Sequence, residues 1–381
     1  MRYTRMAHIR HISEKVFNRI AQTMSTEVSI PTSGRYNAMY DLRDLHAAPI
    51  ELAISNGYAE SGMKRLSLEA GCGGGRVPSG SWLRKMVEKV PEGNMEAMLD
   101  AALSSSVGKL REHGLFIMPV MAAIDKHGIP RYDPNLDRGF LVRGGRPGRG
   151  TDRHEVYITM QSVEEGRRAQ LACIHAGALD DNEELITELV NSAGLDGVDV
   201  SLLLMDREFY STAVVVRLNK LHQHFLMPCR MTPGIRAAME EFRAGKRPTI
   251  SNYIMRSGRG ETADIRLIIV RGNKGLIPLA TNLSIDRVIW NVSRLPAEYS
   301  MRWGIETGYA EVEGLRARTT SRNHSLRLLL FYYSMVLYNA WLLANLMMAE
   351  KFFRRLLGPI IPMAVLKGAL HVMIVNSFSR G

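Results

Sequence analysis

The spacing of apolar and polar positions changes twice along this chain, and each change marks a shift in the elements it predicts. Over residues 1–112 apolar positions recur at helical spacing among basic ones. The pattern predicts a basic helix over residues 8–22, one or two helices over 36–57 with Pro49 between them, and another over 95–112. The glycine-rich run at 71–75 is a loop. Pro78-Ser-Gly-Ser81 then opens a capped helix showing Arg84, Lys85 and Lys89. Such a helix is either a recognition helix for a major groove or a bundle helix with a solvated basic side.

From Leu115 the texture becomes that of buried strands. A continuous apolar run ends in Asp125, and strand-like runs follow at 155–163 and 168–175. Between the first two lies an arginine- and glycine-rich stretch, residues 143–154, read as a flexible hairpin loop whose arginines could hold a phosphate backbone. An amphipathic helix over 182–195 has acids in its first turn, where the helix dipole favours them. A second apolar run then ends in Asp206, followed by a helix over 211–222 and a strand over 225–231. Three strands, helix, strand, helix, strand is the order of an α/β domain with a mixed sheet. Residues 232–286 break into one charged helix and several strand-like pieces, read as a β-rich insertion.

The stretch Tyr299-Ser-Met-Arg302-Trp303-Gly-Ile305-Glu306-Thr-Gly-Tyr309 then reads as a helix entered after Pro296. At about 100° per residue, Tyr299, Arg302, Glu306, Tyr309 and Glu313 share an arc of about 80°, beside an apolar face. Gly304, Gly308 and Gly314, each about 1 kcal/mol worse than Ala in a helix, suggest close approach to the backbone. Residues 328–349 carry no charge and are formally long enough to span a membrane. Ser334, Asn339, Asn345 and three tyrosines within that run favour a buried core helix instead. The segment beyond 358 is apolar and poorly patterned.

Composition narrows the partner. Net charge is +11 over 381 residues, which points to an anionic partner, nucleic acid or membrane surface. Cys72, Cys173 and Cys229 lie far apart without a Cys-x-x-Cys spacing, which excludes a zinc framework and fits a reducing cytoplasm. No signal peptide is expected, because the basic N-terminal stretch has no long apolar run behind it.

Candidate chemistry rests on three carboxylates. Asp125 and Asp206 each end a buried apolar run, where open α/β sheets hold ligands, and Glu306 lies on the polar face of its helix. Asp133 and Asp137 follow close behind Asp125. Three such acids from separate elements can converge on two Mg²⁺ ions, with Mn²⁺ as substitute, and so activate water and stabilise the leaving oxygen of a phosphodiester.

Asp206-Arg207-Glu208-Phe209 together with Tyr299-x-x-Arg302-Trp303-x-Ile305-Glu306-x-x-Tyr309 resembles the DDE transposases of prokaryotic insertion sequences. The branch it resembles has a ribonuclease H-like domain with a β-rich insertion before the Glu. The likeness covers roughly residues 115–348 and continues through Arg316-Ala-Arg318-Thr-Thr-Ser321-Arg322 and the apolar helix. It implies Asp125, Asp206 and Glu306 as catalytic metal ligands. It implies Tyr299 and Arg302 as phosphate contacts, with Arg207, Arg316, Arg318, Arg146 and Arg149 as further DNA contacts. One departure is Glu313, where many members carry a Lys; Arg316 and Arg318 would supply that charge.

The resemblance implies residues 1–112 as a helical DNA-binding region, 113–231 and 287–350 as two parts of a ribonuclease H-like mixed-sheet catalytic domain, 232–286 as the insertion and 351–381 as a tail. It implies a cytoplasmic, nucleoid-associated transposase that cleaves DNA at terminal inverted repeats and joins the 3′ hydroxyl to target DNA. A homodimer on paired ends is expected, with no membrane. A ribonuclease H-like nuclease without strand transfer, or an inactive DNA-binding relic, are the alternatives.

Overall fold

A computed structural model of the chain describes residues 2–30, 40, 42–71, 77–132, 142–148, 150–258, 260–272, 275–352 and 358–379. Its contacts divide the chain into two compact units. The first comprises Met1–Ile117, Glu165–Gln170 and Gly308–Gly381, and the second Met118–Glu164 and Leu171–Thr307. This partition gathers residues 308–381 with the N-terminal helices.

The first unit is helical: α1 (Arg2–Glu27), α2 (Leu42–Ile54), α3 (Ala59–Glu69), α4 (Gly80–Val87), α5 (Glu92–Glu112), and two later helices that we number α12 (His324–Lys351) and α13 (Met363–Ser379). Pro49 lies inside α2 rather than between two helices. The uncharged run forms the centre of α12, which packs against α5, α1, α2 and α4. Nearly all of its apolar window is buried, as a core helix requires. Its polar residues are satisfied locally. Asn339 accepts the Gln170 N–H at 2.9 Å and donates to Ser106 Oγ at 2.8 Å, and Asn345 Oδ1 accepts the Ile361 N–H at 2.7 Å. Each removes a desolvation penalty that an unpaired amide would leave. The segment without a sequence pattern is α13, which packs on α1 and α2.

The second unit is mixed α/β. Its strands are β1 (Val120–Pro130), β2 (Arg143–Gly148), β3 (Thr151–Ser162), β4 (Gln170–Ala176), β5 (Val200–Met205), β6 (Phe225–Pro228), β7 (Ile250–Arg256), β8 (Thr262–Gly272) and β9 (Gly275–Thr281). They form one sheet in the order β2-β3-β1-β5-β6-β9-β8-β7, with β4 also on β3. Neighbours β1, β5 and β6 run parallel, while β3 and β9 flank them antiparallel. The parallel core follows from the crossovers through α6 (Asn182–Leu195) and α7 (Thr212–Lys220), which bring each next strand back in the same direction. After α8 (Pro233–Arg243), the pieces read as an insertion continue this sheet through the pairing of β9 with β6. The arginine-rich loop is also partly strand, because β2 pairs with β3.

Two features depart from the expected elements around the acids. The strand β1 begins at Val120 and runs to Pro130, so Asp125 lies in mid-strand instead of at its end. Its antiparallel partner β3 stays in register from Ser162 to His154 and keeps the strand paired beyond the apolar run. The expected single helix over the Tyr299 stretch is likewise divided. After α9 (Ile285–Asn291), it becomes α10 (Leu295–Ser300) and α11 (Trp303–Glu313). Between them Met301, Arg302, Gly304 and Ile305 each donate to the carbonyl three residues back, the tighter pattern of a 3₁₀ turn.

Candidate active site

The site is built where β5 stops and β1 continues. Parallel pairing sets Ile124 opposite Met205, so the next residues, Asp125 within β1 and Asp206 just past the end of β5, follow side by side. Asp206 caps the short 3₁₀ turn Arg207–Phe209, its Oδ1 accepting the Arg207 N–H at 2.7 Å. Asp125 Oδ1 accepts the Lys126 N–H at 2.9 Å. Each aspartate therefore has one oxygen fixed by the backbone that follows it.

The other Asp125 oxygen meets Arg302. Arg302 Nη1 donates to Asp125 Oδ2 at 3.0 Å and Nη2 donates to Glu306 Oε1 at 3.1 Å. One guanidinium thus spans two carboxylates that lie 181 residues apart in sequence. The tight turn at residues 301–305 makes this reach possible, because it places Arg302 at the start of α11 and Glu306 one turn on. Arg302 is 8% exposed, while the Glu306 side chain is 59% exposed. The Tyr299 ring lies 6.0 Å from the Arg302 guanidinium carbon.

The electrostatics follow from burial. Burial pushes the Asp125 carboxyl up to about 6, the Lys126 N–H and Arg302 pull it back, and Glu208 and Asp206 push it further up. Burial raises the Tyr299 hydroxyl to about 12, with Arg302 opposing and Asp206 and Asp125 adding to the rise. For Arg302 itself burial works against the charge. Tyr299, Asp125 and Asp206 outweigh it, and the guanidinium is held above its ordinary value. These couplings bring Asp125, Asp206, Tyr299 and Arg302 into one electrostatic group.

Two residues in this group carry no signal in an isolated reading of the three acids. Glu208 is a fourth carboxylate acting on Asp125, and Lys126 Nζ lies 3.6 Å from its Oε2 and 5.1 Å from the Phe209 ring centre. Arg230, at the end of the segment after β6, donates from Nε to the Arg207 carbonyl at 3.0 Å and from Nη2 to that of Glu208, fastening the turn behind Asp206. The acidic neighbour was visible in the sequence as Asp206-Arg-Glu; the long-range fastening by Arg230 was not.

The other expected DNA contacts fall on several elements. Arg207 is exposed beside Asp206. Arg316 and Arg318 belong to the first unit. Arg316 pairs with Glu313 through two bonds of 2.8 Å, and Arg318 Nε donates to Asn56 Oδ1 at 2.7 Å. Gly314 does have a close neighbour, since Lys367 Nζ donates to its carbonyl at 2.6 Å. Arg146 falls on β2. Arg149, Asp133 and Asp137 lie outside the described residues.

Carboxylate oxygens without thiols or imidazoles suit a hard divalent cation such as Mg²⁺ or Mn²⁺. The oxygen donors of Asp125, Asp206 and Glu306 are of the type such a cation takes, and Arg302 bridges two of them, Asp125 and Glu306.

No family model matches the chain, and no curated protein matches it. Among solved structures, the chain is similar to a piggyBac transposase determined by cryo-EM as a synaptic complex with hairpin DNA. The TM-score is 0.59 at 12% identity, over 96% of this chain and 78% of that one, so the similarity is one of fold.

Proposed function

We propose that this chain is a DDE transposase with a ribonuclease H-like catalytic domain, cleaving DNA at the ends of an insertion sequence and joining the 3′ hydroxyl to target DNA. The observation that carries this reading is the pairing of Ile124 with Met205, which brings Asp125 and Asp206 together beside the Arg302–Glu306 turn. The fold similarity to a transposase supports it independently.

On this reading Asp125, Asp206 and Glu306 hold two Mg²⁺ ions, which supply Lewis acidity to a phosphodiester and lower the pKa of an attacking water. The chain's own groups do the rest. Tyr299 and Arg302 take the phosphate near the cleaved end, and the exposed Arg207 steers the backbone toward the aspartates. Arg146, Arg149, Arg316 and Arg318 hold DNA without reading its sequence. Partial burial of Asp125 keeps bulk water from screening the charges at the reacting phosphate. The expected assembly is a homodimer on paired ends, acting at the nucleoid.

Labelled DNA carrying the flanking genomic repeats, incubated with Mg²⁺ and a target duplex, tests the proposal. Cleavage at the repeat ends followed by joining supports it. Cleavage without joining supports the nuclease alternative, and binding without cleavage under either Mg²⁺ or Mn²⁺ supports the relic.

A further inference from the structure

Two of the three acids, Asp125 and Glu306, share one cationic partner. Arg302 is nine-tenths buried and donates to Asp125 and to Glu306. Its Nε is buried without a hydrogen-bond partner. A guanidinium placed only to build the fold would be expected to use that third donor as well. Here its Nη donors go to the two carboxylates, with the Tyr299 hydroxyl as a further partner.

We propose that Arg302 is an internal counter-cation: it holds Asp125 and Glu306 in ligand position when no metal is bound, and a divalent cation must compete with it for the same oxygens. This rests on the reading of these acids as the cation site. The contested atoms are Asp125 Oδ2 and Glu306 Oε1. Asp125 Oδ1 is already committed to the Lys126 N–H. A cation entering at Asp125 Oδ2 meets the positive guanidinium at hydrogen-bond distance from the same oxygen, and like charges so close beside largely buried side chains repel strongly. Loading the cation therefore drives Arg302 off at least one carboxylate and frees its donors for an incoming phosphate, beside Tyr299. The bare protein keeps its acids ordered, and cation binding and phosphate binding reinforce each other through Arg302.

The test is Mn²⁺ binding to the full-length protein without DNA, read as free Mn²⁺ by electron paramagnetic resonance. Wild type is compared with Arg302→Met, Arg302→Gln and Arg302→Lys. The Met and Gln variants are expected to bind Mn²⁺ about tenfold or more tightly than wild type, with Lys between them because it keeps the charge but cannot span two carboxylates. Adding Asp125→Asn to Arg302→Gln is expected to abolish the gain. Circular dichroism and melting of the cation-free proteins establish folding; if the Met variant fails to fold, Gln decides. Equal or weaker Mn²⁺ binding by a folded neutral variant overturns the inference. Wild-type cleavage and joining alongside that result would leave the transposase reading standing. Tighter binding in the variant with no cleavage by wild type would keep Arg302 as counter-cation and remove the reaction.

Discussion

Asp125 and Asp206 are neighbours because β1 and β5 run parallel in a register that pairs Ile124 with Met205. The strand β5 ends there and the chain turns into the Arg207–Phe209 segment, while β1 continues along β3. The β1–β5 ladder ends at that pair, so the two carboxylates follow it on neighbouring segments, as ligand-holding acids do at the ends of parallel strands.

The joint role proposed for these aspartates and Glu306 predicts a shared phenotype. Asp125→Asn, Asp206→Asn and Glu306→Gln are each expected to lower the cleavage rate by about 10³-fold or more while end binding in gel shift changes little. A variant that keeps near-normal cleavage removes its residue from the metal-ligand set.

On the proposed reading, Asp125 sets the pH at which the site takes a cation. Burial holds its carboxyl at about 6, and a cation requires the ionised form. Mn²⁺ affinity of the wild-type protein is expected to be flat above pH 7 and to fall about tenfold per unit below pH 6. Calorimetric titration from pH 5 to pH 8 checks this; a curve flat across pH 6 counts against Asp125 as ligand.

Acid sensitivity of the fold should trace to His46. Burial lowers its imidazole to about 4 against the pull of the Val28 backbone, and its Nδ1 shares a 2.6 Å hydrogen bond with Tyr333 Oη. The unfolded chain binds this proton below the ordinary imidazole value of 6.5, but the folded chain does so only below about 4. Stability is therefore present in full above pH 6.5 and lost as pH falls toward 4, by on the order of 3 kcal/mol. Urea midpoints at pH 7.5 and 4.5 should differ less for His46→Gln than for wild type.

The end of α11 is held from within the first unit by Asn56. This residue sits at φ 49°, donates from Nδ2 to the Glu313 and Arg316 carbonyls at 2.9 Å each, and accepts from Arg318 at Oδ1. Asn56→Ala loses these bonds and adds left-handed strain, a destabilisation of about 2–4 kcal/mol. Asn56→Gly relieves the backbone but not the bonds, so its midpoint should lie between those of wild type and Asn56→Ala. If Gly matches wild type, the side-chain bonds contribute nothing.

Several parts of this architecture were legible in the sequence because local pattern decides them. The helical N-terminal region, the apolar runs that became the core of β1 and β5, and α12 follow from periodicity and length alone. Asp206 at a strand end and Glu306 on a helix beside Arg302 needed no long-range information, only a strand that stops and a turn of helix.

Tertiary partners decided the rest. Whether Asp125 ends its strand depends on β3, whose pairing extends β1 five residues beyond it. The break at residues 301–302 has no proline or glycine of its own to announce it. Arg302 reaches Asp125 across 177 residues of sequence. The polar residues of the α12 run pointed to a core helix in the sequence, and the fold supplied the buried partners of Asn339 and Asn345. The poorly patterned α13 became a helix by packing on α1 and α2. Sequence alone determined which residues could form each element and carry charge, because periodicity and side-chain chemistry are local. Register, burial and the convergence of Asp125, Asp206, Arg302 and Glu306 came only from the fold, because hydrogen-bond pairing and desolvation depend on segments far apart in the chain.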